Sequence, residues 1–105
     1  MKDEFEMLGS IINKKARGHI LRTLRISNPK PLGTDILEAC LADTGIFFSA
    51  TQIEAEIKYL EEKGYVRSKK AELPIMGTTI RLVNLSPKGI DLLEKTIRDP
   101  GVAIK

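Results

Sequence analysis

Apolar residues recur every three or four positions along the first 44 residues, which is the spacing of one face of an α-helix. This spacing predicts a short helix within residues 1–13, although Gly9-Ser10 disfavours it. A firmer helix is predicted over residues 14–27, where Asn28-Pro29-Lys30-Pro31 stops it. A further helix is predicted from Thr34 to Thr44, with Gly45 as its C-terminal cap. The apolar positions of the first stretch are Phe5, Leu8 and Ile12.

The third predicted helix, near residues 49–63, has the clearest start in the chain. Ser49 is a typical N-cap, and Gln52 three positions later can complete a capping box. Ile53, Ile57 and Leu60 then predict the buried face, and Gly64 ends the helix.

Two stretches rich in strand-forming residues follow the third helix. Residues 65–71 and 78–85 predict the strands of a hairpin, and residues 73–77 predict its turn. Ser86-Pro87 then has the sequence of a helix start, and the apolar spacing predicts a helix that continues to Ile97. Asp99-Pro100-Gly101 breaks it, so residues 98–105 are expected to be a short loose tail.

This order of elements predicts an α+β fold that is mostly helical. A three-helix core, a β-hairpin wing and a C-terminal helix together describe a winged helix-turn-helix. The winged-helix domain is expected over residues 14–97, preceded by an N-terminal segment over residues 1–13.

Three stretches resemble the winged-helix superfamily. Ala16–Leu24 is similar to the first-helix pattern of bacterial winged-helix regulators, Ile57–Val66 to the end of their recognition helix and the entry into the wing, and Leu85–Gly89 to the junction with the last helix. This resemblance implies DNA binding by the third helix and the wing. The closing Asp99-Pro100-Gly101-Val102 also resembles small winged-helix proteins of Mu-like phages and prophages, which implies a phage gene product.

Length and composition narrow the class of protein. The chain has 105 residues, which fits one domain and is too short for a deep catalytic cleft with a separate cofactor fold. Cys40 is the single cysteine, so no intrachain disulfide can form. An acidic N-terminus without an apolar stretch predicts no signal peptide, and no apolar run has membrane-spanning length. We therefore expect a cytoplasmic protein.

Charge is distributed unevenly along the chain. The net charge is +3, but residues 11–30 carry +6, residues 31–64 carry −5 and residues 65–105 carry +4. Basic flanks around an acidic centre place the candidate phosphate contacts in the first helix and in the hairpin.

The residues capable of catalysis are too few and too scattered to predict an enzyme. His19 and Cys40 are the only ones of their kinds, and no third member of a catalytic set accompanies them. Cys40 is expected to pack in the core with Ile36, Leu37 and Leu41. The sequence shows no clustered metal ligands and no phosphate-cradling loop, so we expect no catalytic, metal or cofactor site.

The candidate DNA-binding residues lie on the third helix, on the hairpin and at the start of the first helix. On the third helix they face away from the apolar stripe, where the N-terminal part would meet base edges. Gln52 has two open roles, pairing with adenine or completing the capping box. The helix candidates are Thr51, Gln52, Ala55 and Lys58. The candidates for phosphate contacts are Arg67, Lys69, Lys70 and Arg81 on the hairpin and Lys14, Lys15 and Arg17 on the first helix.

The acidic third helix leaves a second function open. Glu54 and Glu56 would repel phosphates, and with Glu61 and Glu62 they are expected to form a solvated helix face. The alternative is a protein-interaction module that docks through this helix and through Ile75 and Met76 near the hairpin tip. A homodimer is compatible with both functions, through either the N-terminal apolar stripe or the final helix. The alternative for these two surfaces is that they cover the domain's own core. Steep weakening by salt would distinguish DNA binding from an apolar protein interface.

Overall fold

The computed structural model describes residues 3–73 and 77–104. Within them, four helices accompany a three-stranded antiparallel sheet with the strand order β1-β3-β2. The expected α+β architecture, mostly helical, is therefore confirmed. The elements are α1 (Glu4–Ser27), β1 (Leu32–Gly33), α2 (Thr34–Asp43), α3 (Ala50–Glu62), β2 (Val66–Leu73), β3 (Thr78–Leu85) and α4 (Pro87–Leu93).

The first helix is longer than the sequence pattern predicts. The N-terminal segment and the helix expected from residue 14 form one unbroken α1. Asp3 caps it by accepting a hydrogen bond from the Glu6 amide at 2.8 Å, and the acidic first turn suits the positive end of the helix dipole. Gly9 lowers helix propensity by only about 1 kcal/mol relative to Ala, which a capped 24-residue helix tolerates.

The sheet contains one strand that the sequence pattern did not reveal. β1 has two residues, Leu32 and Gly33, which pair with Val83 and Leu82 of β3. The hairpin β2–β3 runs in register from the Val66–Leu85 pair outwards. The hairpin positions 74–76, which include the residues proposed for a protein contact at its tip, lie outside the described part of the chain.

The core lies where the three longer helices meet the base of the hairpin. Its side chains are aliphatic with one tyrosine, and all are almost completely excluded from solvent. They come from every helix, from both hairpin strands and from the C-terminal segment. The buried hydrophobic residues are Ala16, Ile20, Leu21, Leu24, Leu37, Leu41, Ile53, Ile57, Leu60, Tyr65, Val66, Val83, Leu85, Leu92 and Val102.

Helices α2, α3 and α4 end in the same left-handed motif. Gly45 and Gly64 have φ of 88° and 84°, as the C-terminal glycines of α2 and α3 require. Lys95 occupies the equivalent position after α4 with φ of 64°. The prediction that this last helix continues to Ile97 is therefore wrong, because the left-handed residue stops it at Leu93.

The C-terminal segment, residues 99–104, is packed rather than loose. Val102 is buried, and the Ala103 amide donates to the Lys14 carbonyl at 3.0 Å. Gly18 of α1 lies directly against the Ala103 carbonyl, where a Cβ atom would overlap it. The expectation of a loose tail is thus corrected for residues 99–104, which close backbone contact with α1 holds in place.

Cys40 is half-buried and does not belong to the core. Leu37 and Leu41 define the buried face of α2, whereas Ile36 is 47% exposed. The apolar stripe of this helix is wider than the surface available to cover it, so its flank, with Ile36 and Cys40, reaches solvent.

Candidate nucleic-acid interface

The N-terminus of α3 is fixed by the capping box that its sequence indicates. The Ser49 hydroxyl accepts from the Gln52 amide at 3.2 Å, and the Gln52 side-chain oxygen accepts from the Ser49 amide at 2.8 Å. Pairing with adenine needs both the oxygen and the nitrogen of the Gln52 side chain. Because the cap uses the oxygen, only the amide nitrogen remains to donate outward.

The outer face of α3 borders a groove beside the hairpin. Thr51, Ala55 and Lys58 are exposed there, opposite the buried Ile53 and Ile57. The groove has a volume of about 530 Å³ and is open to solvent. Its lining residues are Thr51, Glu54, Ala55, Ile57, Lys58, Glu61 and Arg81.

Two carboxylates in this groove are paired with the hairpin. Glu54 accepts from Arg81 Nε at 2.8 Å, and Glu61 accepts from both the amide and the hydroxyl of Ser68. Arg81 Nη1 also donates to the Ser68 hydroxyl at 3.1 Å. These contacts hold α3 against the hairpin and reduce the unpaired negative charge that α3 offers to a ligand.

Arg17 and Glu56 have a structural role that the sequence analysis did not predict. Arg17 Nε donates to Glu56 Oε1 at 2.7 Å, and the two side chains are only 16% and 8% exposed. The Arg17 guanidinium also stacks 3.7 Å from the centre of the Tyr59 ring and donates to the Gly101 carbonyl. The Arg17 side chain is therefore engaged inside the protein, and the prediction that it contacts phosphate is corrected.

The same contact corrects the expectation that Glu56 lies on a solvated face. Its spacing from Ile53 and Leu60, three and four residues, places it on the buried face of α3. This spacing is the sequence signal for burial of Glu56, although a glutamate beside other glutamates is ordinarily expected to face solvent.

The hairpin divides its basic residues between two faces. Side chains alternate along a strand, and directly opposite residues share a face. Lys70 lies opposite Arg81, on the face that also carries Ser68 and is turned toward α3. Arg67 and Lys69 lie on the other face and are exposed. The hairpin thus presents basic side chains on both of its faces.

The bases at the start of the predicted first helix do not join the α3 groove. Lys15 borders a separate concave surface of about 450 Å³, together with His19 and Arg22. Burial and the neighbouring Arg22 charge lower the pKa of His19, against a backbone hydrogen bond at Cys40 that raises it. The Lys14 side chain is half-buried, and the backbone carbonyl of Lys14 accepts the hydrogen bond from the Ala103 amide. Neither lysine lines the groove that contains Lys58 and Arg81.

In the part of the chain that the structure describes, no three His, Cys, Asp or Glu side chains lie close enough together to hold a metal ion. No helix in residues 3–73 or 77–104 combines the length and apolarity needed to cross a membrane.

Comparison with known proteins gives a likeness of fold. A crystal structure of a proposed transcriptional regulator from Thermoplasma acidophilum superposes with a TM-score of 0.63 at 19% sequence identity, covering 89% of this chain and 81% of that one. No protein-family model and no curated protein matches the sequence. At this identity the likeness concerns the fold. None of these findings supports the resemblance to Mu-like phage proteins, which stays a prediction.

Proposed function

We propose that this chain is a winged-helix DNA-binding protein that acts as a transcriptional regulator. In this proposal α3 enters the major groove of double-stranded DNA and the hairpin β2–β3 is the wing. One observation carries this proposal. The outer face of α3 is exposed beside a hairpin that has basic side chains on both faces, and the carboxylates of Glu54 and Glu61 are paired within the protein. The likeness to a proposed transcriptional regulator is in keeping with this function.

The contacts divide into two classes. Thr51, Ala55 and Lys58 are the residues proposed to meet base edges, with the Gln52 amide nitrogen as an additional donor. The basic residues proposed to contact phosphates are Lys70 and Arg81 on the α3 side of the wing and Arg67 and Lys69 on its other side. Lys15 is left out of this contact set because it borders a different surface, and Lys14 because its backbone carbonyl accepts a hydrogen bond from the C-terminal segment beside that surface.

Three further parts of the proposal follow from a DNA-binding role. The protein binds rather than catalyses and needs no cofactor. It acts in the cytoplasm, where the single cysteine Cys40 stays reduced. It works as a homodimer, because one winged helix reads few base pairs and a two-fold pair doubles the site.

The decisive experiment compares two double variants by fluorescence anisotropy with random-sequence duplex DNA at several salt concentrations. Lys69→Ala with Lys70→Ala should weaken binding to all sequences and flatten the slope of log affinity against log salt by up to about 2. The matched control is Lys95→Ala with Arg98→Ala, which removes the same charge from the surface that follows α4. That control should leave the slope close to that of the parent.

Two results would count against the proposal. Equal slopes for the parent and for the Lys69 and Lys70 variant would exclude the wing from the interface. A parent without salt-sensitive DNA binding would favour the alternative, in which this fold is a protein-interaction module without DNA binding. Phe47, which is 80% exposed in the segment between α2 and α3, favours that alternative, because aromatic side chains are enriched in protein interfaces.

A further inference from the structure

The N-terminal half of α1 exposes a continuous apolar face. Phe5 is 86% exposed, and Met7, Leu8 and Ile11 are each about half exposed, at 54%, 55% and 49%. Each neighbours another at a spacing of three or four residues, so they form one stripe, with Ile12 at its edge. An apolar stripe of this extent on a well-packed domain marks an interaction surface.

This stripe does not continue the face of α1 that is buried in the core. Successive residues of an α-helix turn by about 100°, so Leu8 points about 160° away from Leu24, which is buried 16 positions later on the same helix. At the N-terminal end, the side of α1 in line with Leu24 carries Glu6, Ser10 and Asn13 instead. The apolar face has therefore changed sides, and the domain's own core cannot cover it.

Unlike charges stand at the two ends of the stripe. Glu4 and Lys15 are 11 residues apart, which is three turns, so they lie on the same face as Leu8 and Ile11. Asp3 and Glu6 add negative charge at the first end. The concave surface that Lys15 borders with His19 and Arg22 lies at the other end. A second copy that runs antiparallel would place its acidic end in the other copy's basic surface, twice by symmetry.

We propose that two copies of this chain form a two-fold dimer in which residues 4–15 of α1 pair antiparallel. In this register Glu4 faces the partner's Lys15, Leu8 faces the partner's Ile11, and Met7 faces the partner's Ile12. The inference deepens the homodimer of the proposed function. It does not depend on DNA, since association is measured without it.

The area available indicates a reversible dimer. Phe5, Met7, Leu8 and Ile11 together offer about 400 Å² of exposed surface per copy, taking each fully exposed residue as roughly 150–200 Å². With the charged ends, the two copies bury on the order of 1,200 Å², at the low end of specific interfaces. We therefore expect dissociation in the micromolar range, within reach of sedimentation equilibrium.

The first test measures association of the full chain without DNA. Leu8→Ser should raise the dimer dissociation constant at least tenfold. Ile26→Ser should leave it unchanged, because Ile26 is 87% exposed on the same helix but outside the paired segment. Circular dichroism checks that both variants fold. A parent that is monomeric at millimolar concentration, or that gathers on lipid vesicles through Leu8 instead of dimerising, would overturn the proposal.

The second test determines direction from charge. Glu4→Lys and Lys15→Glu should each weaken self-association several-fold, because each places like charges opposite one another in both symmetric contacts. An equimolar mixture of the two variants should regain the parent's affinity as a heterodimer. A parallel pair would set Glu4 against Glu4 already, so an unchanged affinity for Glu4→Lys would refute the antiparallel register.

The third test measures distance. A spin label at position 26 in an Ile26→Cys, Cys40→Ser chain should give a distance of about 50 Å between copies, since 33 residues of helix rise separate the two sites in this register. Parallel pairing would bring the labels to within about 20 Å. Loss of DNA binding with an intact dimer would contradict the proposed DNA binding and leave this inference standing. A monomer that still binds DNA would contradict this inference and the homodimer of the proposed function, and would leave the proposed DNA binding standing.

Discussion

Removing the Arg17–Glu56 ion pair tests whether Arg17 is structural. The pair lies between α1 and α3 with a 2.7 Å hydrogen bond. The variant Arg17→Met keeps the aliphatic stem of the side chain but leaves Glu56 without its counter-charge. The comparison variant Arg17→Met with Glu56→Met removes both charges and fills the same space with apolar atoms.

The expected magnitude follows from burial. Breaking a buried pair by removing one partner costs about 3–5 kcal/mol, because an uncompensated charge stays inside. Arg17 keeps 16% of its side-chain surface exposed, so we expect the lower end, about 3 kcal/mol, for Arg17→Met. Replacing both partners with apolar residues is often nearly neutral, so the double variant should regain about 2 kcal/mol of this loss.

Urea denaturation followed by circular dichroism gives these differences, provided the m-value is the same in all variants. The salt dependence of DNA binding by folded Arg17→Met should match the parent's, since Arg17 is not free to contact phosphate. A loss below about 1 kcal/mol for Arg17→Met would refute the reasoning. A double variant at least as unstable as Arg17→Met alone would also refute it.

Three further outcomes are expected. Gly18→Ala should lower the free energy of unfolding by about 1–3 kcal/mol, because the added methyl group would overlap the C-terminal segment. Gly9→Ala, which has open space around it, should raise the free energy of unfolding by up to about 1 kcal/mol. Equal effects of the two variants in urea titrations would be inconsistent with the packed segment. Lys95→Gly should raise the melting temperature by a few degrees by relieving the left-handed backbone, and a lowered melting temperature would speak against that strain. Burial, followed by the hydrogen bond to Asp99, raises the pKa of Tyr65 from 10.0 to about 12. The contribution of Tyr65 to the free energy of unfolding should therefore be fully present below pH 10 and be lost as the pH rises toward 12. If the stability of a Tyr65→Phe variant fell equally over this range, Tyr65 would not be the cause.

Local chemistry explains which parts of the fold could be predicted. The Ser49–Gln52 capping box and the glycine stops at Gly45 and Gly64 depend on residues within one turn of each other, and the structure contains all of them. The hairpin strands also followed from short-range pattern. The stop at Lys95 was hidden, because lysine rarely adopts a left-handed conformation and gives no sequence signal.

The rest depends on contacts between distant residues. β1 has two residues and exists only because β3 lies beside it. From the sequence alone, Arg17 is expected to be an exposed basic residue, because its partner Glu56 is 39 positions away. For the candidate interface, the sequence could name the exposed positions of α3. It could not show that Glu54 pairs with Arg81 or that Lys15 faces another surface.

The packed C-terminal segment has a consequence for the order of folding. Arg17 bonds the Gly101 carbonyl across 84 positions of sequence, and the Ala103 amide bonds the Lys14 carbonyl. Contacts of such long sequence separation close the largest loops, so they form late and slow the search for the native state. During synthesis α1 emerges well before the segment around Ala103 that covers its Gly18 surface. Until then a nascent chain leaves this surface open to other partners, and protection by a chaperone would matter most in that interval.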